Sequence, residues 1–307
     1  MKGTIFTVVI SVLLTLNLIL LTSSKNDPIP PTPAPTSITE LNKYYKIFPV
    51  EIPAEATFAG ESVPLDIFDV RERLDRELLI NTYWHSSTIY HFKQANRWFP
   101  VIEPILKENN IPDDFKYLAL AESGLQNKVS PSRAEGVWQF LKGTGKEYGL
   151  QIENAIDERY HIEKATAAAC QYLQEAYDTF GSWTMAAAAY NKGMPGMKKQ
   201  VARQKETKYY DLLLNEETSR YIFRILALKE VLLNPEQYGF FYKEKDLYQP
   251  LKYKTFTIDS PIADLADFAK ENGTNYKTLK ILNPWLRDTY LKNDKRKEYT
   301  IKIPLKN

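Results

Sequence analysis

The sequence has 307 residues, 44% of them hydrophobic and 25% charged, a balance typical of a globular protein and not of a disordered or fibrous chain. The formal net charge of +2 argues against a protein that coats nucleic acid, because such proteins carry a strong basic excess. The single cysteine, Cys170, excludes an intramolecular disulfide and a cysteine-based zinc site.

The first 24 residues have the pattern of an export segment. Lys2 precedes an apolar stretch from Ile5 to Leu21, and the small residues Thr22-Ser23-Ser24 offer a cleavage site. The stretch is nearly long enough to span a bilayer, so an uncleaved membrane anchor is the alternative to the cleaved signal peptide that we favour. No cysteine follows directly after it, which excludes lipid attachment as a lipoprotein. We expect the working part of the chain in the periplasm or cell envelope.

Residues 25–40 are rich in proline and predict a stiff, extended linker. From 41 to 245 the apolar spacing is helical without strand-like alternation, so we expect an all-helical domain with a catalytic core at about 97–235. The predicted helical segments are Val70 to Phe92, Trp98 to Leu106, Pro112 to Glu122, His161 to Phe180, Trp183 to Asn191 and Glu217 to Leu233.

The last part of the chain, 251–305, has a different pattern. Two β-rich segments, Tyr253 to Ile258 and Tyr299 to Ile303, flank two short helical segments, Asp264 to Glu271 and Tyr276 to Leu282. We therefore predict a mainly α protein in which a small β-α-α-β module follows the helical domain.

Glu122 is the carboxylate whose position in the sequence indicates a catalytic role. Phe115 and Leu118 lie seven and four residues before it, so all three share one apolar helix face. Glu122 also lies in the last turn before Gly124, where the helix dipole disfavours a negative charge. Partial burial and the dipole both raise a carboxyl pKa, which a general acid near neutral pH requires. Periodicity alone leaves open that Glu122 points into solvent at a frayed helix end.

Several short segments around and after Glu122 occur in a characteristic order. They are Glu122-Ser123, Ser130-Pro131, 134–140 (Ala-Glu-Gly-Val-Trp-Gln-Phe), Thr144-Gly145, Tyr148-Gly149-Leu150, Asp157-Glu158-Arg159, 189–193 (Ala-Tyr-Asn-Lys-Gly), and Glu217-Thr218 with Tyr221. Together they resemble the lytic murein transglycosylases of glycoside hydrolase family 23, which also includes goose-type lysozymes, and within it the membrane-bound lytic murein transglycosylase D branch. At one position, Arg133 stands where the family has glycine, which we expect to alter the cleft near Ser130 without abolishing activity.

The resemblance implies a lysozyme-like helical fold and a role for each matching residue. Glu122 matches the single catalytic acid and base. The positions that match substrate-binding residues are Ser123, Ser130, Gln139, Tyr190, Asn191 and Tyr221. The local pattern alone is also compatible with a surface position for Gln139 and with a helix C-cap role for Asn191. We expect Trp138 and the alanines at 186–189 in the core.

The resemblance also implies the reaction. Glu122 protonates the glycosidic oxygen between N-acetylmuramic acid and N-acetylglucosamine, and the substrate's own N-acetyl group stabilises the positive C1. Glu122 then removes the proton of the muramyl C6 hydroxyl, which closes on C1 to give a 1,6-anhydro product. Ordinary glycosidases need a second carboxylate, and Glu135, though close in sequence, matches no such role.

We accordingly expect no metal and no organic cofactor. The expected partner is the peptidoglycan glycan strand, and we expect no binding of nucleic acid. We expect the protein to be a monomer, with a possible membrane association through the N-terminal segment. Two alternatives remain for the whole protein: a muramidase that hydrolyses the same bond, and a non-catalytic wall-binding protein.

The C-terminal module resembles a LysM domain. The matching residues are Leu265-x-x-Phe268-Ala269, Leu279-x-x-Leu282-Asn283-Pro284 and Tyr299-x-Ile301-x-Ile303-Pro304. The likeness implies that the module binds glycan containing N-acetylglucosamine and holds the enzyme on its polymer. The usual Gly-Asp before the first helix is replaced by Asp259-Ser260-Pro261, so an appendage that no longer binds sugar is the alternative.

Overall fold

The computed structural model describes residues 47–305, and from Pro49 onward the chain packs as one unit. The predicted export segment at 1–24 and the predicted linker at 25–40 lie outside the described residues, as do positions 41–46 of the predicted helical domain. Within 47–305, no helix combines the length and the apolar character needed to cross a membrane.

Residues 47–305 form ten α-helices and four short strands. The helices are α1 (Phe68–Tyr83), α2 (His85–Glu108), α3 (Phe115–Ser123), α4 (Lys142–Glu147), α5 (Ile162–Phe180), α6 (Trp183–Lys192), α7 (Met194–Gln204), α8 (Glu216–Leu233), α9 (Leu265–Glu271) and α10 (Tyr276–Leu282). The strands are β1 (Thr57–Phe58), β2 (Glu61–Ser62), β3 (Tyr253–Ile258) and β4 (Tyr299–Pro304). The predicted fold class is confirmed.

The prediction of a purely helical first domain is wrong at one place, the hairpin of β1 and β2. Its turn residues Ala59 and Gly60 have φ angles of 50° and 81°, which suit the twist of a two-residue hairpin. The Glu61 carboxylate accepts hydrogen bonds from the backbone N–H groups of Trp183 and Thr184, at 2.6 and 2.9 Å. Because a carboxylate satisfies the free N–H groups of a helix start and opposes its dipole, the hairpin anchors α6.

The first two helices differ from the predicted segments in their boundaries. Trp84, with φ −87° and ψ 58°, interrupts the helical pattern and separates α1 from α2. α2 then continues through Pro100 and Pro104. Both prolines lie on the exposed face, where carbonyls that lose an N–H partner still reach water.

The core of the helical domain forms around α3, which packs against α2 and α8. Phe115 and Leu118 on α3 are completely buried, as is Trp138 in the loop that follows. The four alanines at 186–189 are also completely buried, and their small side chains let α6 pack closely on α5. The predicted packing roles of Trp138 and of these alanines are confirmed.

The C-terminal module has the predicted β-α-α-β order. β3 and β4 pair antiparallel, with Tyr253 opposite Pro304 and Ile258 opposite Tyr299. The module packs directly on the helical domain, since Ile156 and Tyr160 belong to its hydrophobic cluster. Backbone hydrogen bonds join the two parts: Asp157 N–H donates to Trp285 O at 2.9 Å and Arg287 N–H to Ala155 O at 2.8 Å.

Candidate active site

Glu122 lies in the last turn of α3, which Gly124 ends in the left-handed conformation at φ 65°. Its side chain is half-buried and lines an open cleft with a volume of about 350 Å³. Residues of α1, α2, α3 and α8 form the walls of this cleft. Glu122 therefore faces a space that can hold a ligand, and not bulk solvent at a frayed helix end.

The surroundings of Glu122 favour a proton on the carboxyl group near neutral pH. Burial raises the pKa of Glu122 to about 7, while the Tyr221 hydroxyl and the charge of Arg224 act in the opposite direction. The Tyr221 hydroxyl donates a hydrogen bond to Oε1 of Glu122. A carboxyl group with a pKa near 7 can both give and take a proton at the pH of most cells.

Tyr221 belongs to a face of α8 that lies along the cleft. Arg220 and Arg224 from the same helix also line the cleft, and Glu217, one turn earlier, is close enough to raise the pKa of Glu122. We assigned no role to Glu217, Arg220 or Arg224 from the sequence. Glu217 and Arg224 lie four residues before and three residues after Tyr221, and Arg220 lies three residues after Glu217 and four before Arg224. This spacing is the signal that predicts them along one side of the helix.

Ser123 and Tyr190 hold the loop after α3 in place. Ser123 is almost completely buried, and its hydroxyl donates to Val137 O at 2.7 Å. The Tyr190 hydroxyl donates to Trp138 O at 2.6 Å. Burial, and after it the charge of Glu122, raises the pKa of Tyr190 well above the ordinary value. Tyr190 therefore lies within electrostatic range of Glu122, whereas Tyr221 is hydrogen-bonded to it.

Ser130 and Gln139 lie in the same loop, at its two ends. The Ser130 hydroxyl accepts a hydrogen bond from Ala134 N–H at 2.9 Å. The Gln139 amide nitrogen donates to Lys128 O at 3.0 Å and to Gly136 O at 2.8 Å. Both side chains are half-buried, so neither is a plain surface residue, and neither is among the residues that line the Glu122 cleft.

Asn191 links α6 to α8. Its Oδ1 accepts a hydrogen bond from the Thr218 hydroxyl at 2.8 Å, and its Nδ2 lies 3.4 Å from Oε1 of Glu217. The C-cap of α6 is Gly193. Asn191 therefore does not cap the helix but connects it to the α8 residues that face Glu122.

Glu135 is bound within the protein. Arg159 is buried and forms ion pairs with Asp157 at 2.6 Å and with Glu135 at 3.0 Å. The same guanidinium donates to the carbonyl oxygens of Phe140 at 3.2 Å and Arg133 at 3.3 Å. Arg159 thus fastens the loop at 130–140 and pairs with Glu135, the first carboxylate that follows Glu122 in the sequence.

A second carboxylate, Glu77, lines the cleft itself. It is completely buried and forms an ion pair with Arg220 at 2.6 Å. Among residues 47–305, no group of three or more His, Cys, Asp or Glu side chains is arranged to hold a metal ion.

Comparison with known proteins matches both parts of the chain. The family model for the transglycosylase SLT domain matches residues 99–213, and that for the soluble lytic transglycosylase C-terminal LysM-like domain matches residues 254–307. Two curated relatives from Escherichia coli strains, both named membrane-bound lytic murein transglycosylase D, are 29% identical over 243 residues. The match covers 76% of this chain and 52% of each relative, so the chain spans about half the length of those relatives. The chain therefore carries a transglycosylase SLT domain followed by a C-terminal LysM-like domain.

Proposed function

We propose that the protein is a peptidoglycan lytic transglycosylase in which Glu122 is the single general acid and base. The observation that carries the proposal is the Glu122 carboxyl group, which has a pKa of about 7, accepts a hydrogen bond from Tyr221 and lines an open cleft. The two matched domains and the relatives support the substrate class.

In the proposed reaction, the proton of Glu122 moves to the glycosidic oxygen as the bond from that oxygen to C1 of N-acetylmuramic acid breaks. The N-acetyl group of the substrate stabilises C1. The C6 hydroxyl oxygen then bonds to C1, and its proton returns to Glu122. The enzyme ends in its starting protonation state without consuming water, and the product carries a 1,6-anhydro end.

Two arginines favour this route over one with two carboxylates. A nucleophile or a second base needs a free carboxylate oxygen beside the scissile bond. Glu77 and Glu135 are held by Arg220 and Arg159, respectively. Glu122 is the carboxyl group of the cleft whose pKa suits proton transfer in both directions.

We assign the remaining predicted residues to two tasks. Tyr221 orients the Glu122 carboxyl group and lowers its pKa, while Tyr190 and Ser123 hold the loop behind it. Ser130 and Gln139 contact the sugar near the scissile bond. Asn191 holds α6 against α8 through its contacts with Thr218 and Glu217.

We also propose the cell envelope as the site of action. The apolar stretch from Ile5 to Leu21 supports export or anchoring, and the relatives are membrane-bound by name. The proposed division of the chain is a signal or anchor at 1–24, a linker at 25–40, the catalytic domain at 41–245 and a glycan-binding module at 251–305. We propose that the enzyme acts as a monomer on glycan strands.

Muropeptide analysis of digested sacculi tests the proposal. Purified protein should release products with 1,6-anhydromuramyl ends, seen by mass spectrometry, and Glu122→Gln should release none while keeping its fold. The fold should survive because burial already disfavours the charged carboxylate. Products with reducing ends alone would establish a muramidase. Wild-type protein that binds sacculi but never cleaves them would establish a binding protein.

A further inference from the structure

More than half of the residues that line the Glu122 cleft lie outside the matched SLT domain. Asn81 on α1, Trp84 between α1 and α2, and His91 on α2 all lie before residue 99 and line the cleft. The SLT family model thus assigns nothing to this wall. Its side chains are nevertheless positioned to meet any polymer that enters the cleft.

Trp84 differs from the other tryptophans of the chain. All five lie within residues 47–305: Trp138 and Trp285 are buried, Trp98 and Trp183 are half-buried in the packing of the core, and Trp84 is 64% exposed. Trp183 stacks on Tyr177 at 4.1 Å between ring centroids. The Trp84 indole has no such ring partner in the described part of the chain. An indole offers a large apolar face and one N–H donor, so exposure at the mouth of a cleft suits a ligand that is apolar on one face and polar at its edges.

The backbone holds Trp84 rigidly at the junction of α1 and α2. Its N–H donates to Ile80 O at 2.9 Å, and its carbonyl oxygen accepts from Ser87 at 3.0 Å and Thr88 at 3.1 Å. The Thr88 hydroxyl in turn donates to Asn81 O. Because this junction is closed by hydrogen bonds on both sides, presenting the indole to a ligand requires little ordering of the backbone.

The groups around Trp84 are polar and cationic. Asn81 and Ser87 line the cleft beside it, and Lys128 and Arg224 line the cleft without an ion-pair partner among residues 47–305. Burial, and then the charge of Lys128, lowers the pKa of His91 to about 4, so His91 is neutral near pH 7. Hydroxyl, amide and imidazole groups bind sugar hydroxyls, and the free cations suit a polymer that carries carboxylates.

We propose that Trp84 is a glycan subsite, in which a pyranose ring of the strand stacks on the indole while the neighbouring bond lies at Glu122. The inference rests on the proposed function and specifies its substrate contacts. The subsite fixes the register of the strand from the α1–α2 side, whereas Ser130 and Gln139 contact it from the loop after α3.

Steady-state kinetics on soluble, uncross-linked glycan strands test the subsite. Trp84→Ala should raise KM about 5- to 30-fold, as expected for the loss of a central aromatic contact, and change kcat less than threefold. Trp84→Phe should recover most of the binding. Phe68→Ala is the matched control, because Phe68 is 74% exposed on α1 and lies outside the cleft. An unchanged KM in Trp84→Ala, or an equal loss in Phe68→Ala, would overturn the proposal.

A binding measurement separates this inference from the proposed function. In full-length Glu122→Gln protein, a hexamer of N-acetylglucosamine should shift the tryptophan emission to shorter wavelength, and the added change Trp84→Phe should abolish the shift. If wild-type protein cleaves nothing but the Trp84-dependent shift is present, the subsite stands and the proposed reaction fails. If cleavage is normal and the shift persists in Trp84→Phe, the reaction stands and the subsite is wrong.

Discussion

At the scale of single residues, the pair of Glu122 and Tyr221 sets the proton chemistry of the cleft. Glu122 must carry a proton when the glycosidic bond breaks, and its pKa is about 7. We therefore expect kcat/KM to fall as the pH rises through about 7, because the protonated fraction falls there. A pH profile on glycan strands measures this limb, and a rate that rises between pH 7 and 8 would contradict the assignment.

Removal of the Tyr221 hydroxyl should move the pH at which kcat/KM falls, the alkaline limb of the pH profile. The hydroxyl donates to the Glu122 carboxylate and so lowers its pKa, and Tyr221→Phe should consequently shift the alkaline limb to higher pH. The maximal rate should fall about 10- to 100-fold, since the carboxyl group loses its orientation. Tyr209→Phe is the matched control, because Tyr209 is buried and its hydroxyl donates to Thr218 and Ser219 carbonyls on the same helix. A limb that stays in place in Tyr221→Phe, or moves equally in Tyr209→Phe, would disprove this role.

The sequence predicted the position of Glu122 but not all of its neighbours. The apolar face that it shares with Phe115 and Leu118 follows from helical spacing, and both residues are completely buried. Arg224 and Glu77 come from helices far away in the chain, and charged residues on a helix are usually solvated. Spacing within one helix cannot tell which charged face meets another helix, so these contacts needed the three-dimensional packing.

At the scale of elements, the loop at 130–140 packs behind Glu122, since the hydroxyl of the next residue, Ser123, donates to Val137 O in this loop at 2.7 Å. Arg133 adopts φ 61°, the left-handed conformation that favours glycine. The arginine that departs from the family pattern therefore keeps the backbone turn of glycine and adds an exposed side chain. Its carbonyl oxygen accepts a hydrogen bond from Arg159 at 3.3 Å, which holds the turn in this conformation.

Arg133→Gly should stabilise the protein. The left-handed conformation destabilises a residue with a Cβ atom by about 1–2 kcal/mol, and part of the gain is lost because glycine makes the unfolded chain more flexible. We expect a net increase of about 0.5–1 kcal/mol in the free energy of unfolding, measured in urea.

Gly136→Ala in the same loop provides the contrast. A Cβ atom there would lie 1.9 Å from the carbonyl oxygen of Arg159, so this variant should be strongly destabilised. If Arg133→Gly and Gly136→Ala changed the free energy of unfolding equally, the loop would not be rigid.

Element boundaries were the part of the fold least accessible from sequence. The break at Trp84 carries no glycine or proline, and α2 passes through two prolines that normally predict a helix end. Both outcomes depend on surroundings: hydrogen bonds close the break, and both prolines lie on the exposed face of α2. The helices ending at Gly124, Gly181 and Gly193 were predictable because glycine itself supplies the local conformation that ends them.

At the scale of the whole molecule, the LysM-like module is not a freely tethered domain but packs on the segment that holds the catalytic loop. Asp157 donates its backbone N–H to Trp285 of the module, and its carboxylate pairs with Arg159, which fastens Glu135 and the carbonyl oxygens of the loop. Contacts of the module thus continue, through Asp157 and Arg159, to the loop at 130–140 that packs behind Glu122. Glycan bound by the module would therefore lie at a fixed direction from the cleft.

The pair of Glu163 and Lys302 across this interface should make stability depend on pH. Burial alone would raise the pKa of Glu163, but the His161 hydrogen bond and the Lys302 charge outweigh it and lower the pKa to about 2. Because the folded pKa lies below the unfolded value, the stabilisation is fully present above about pH 4.5 and is lost as the pH falls through about 2. Glu163→Gln should lower the free energy of unfolding by about 1–2 kcal/mol at pH 7, and the difference from wild type should vanish near pH 2.

Glu271→Gln is the control for this prediction. Glu271 ends α9 on the exposed surface of the same module, and its substitution should change stability by less than about 0.5 kcal/mol at any pH. Urea unfolding of the three proteins at several pH values is followed by fluorescence in versions that keep only Trp285 or only Trp138. These versions report separately on the interface and on the catalytic core. Glu163→Gln should lower the midpoint of both signals together, because the module and the catalytic loop share Asp157 and Arg159. Loss of the Trp285 signal alone would show that the module unfolds independently and does not support the wall of the cleft.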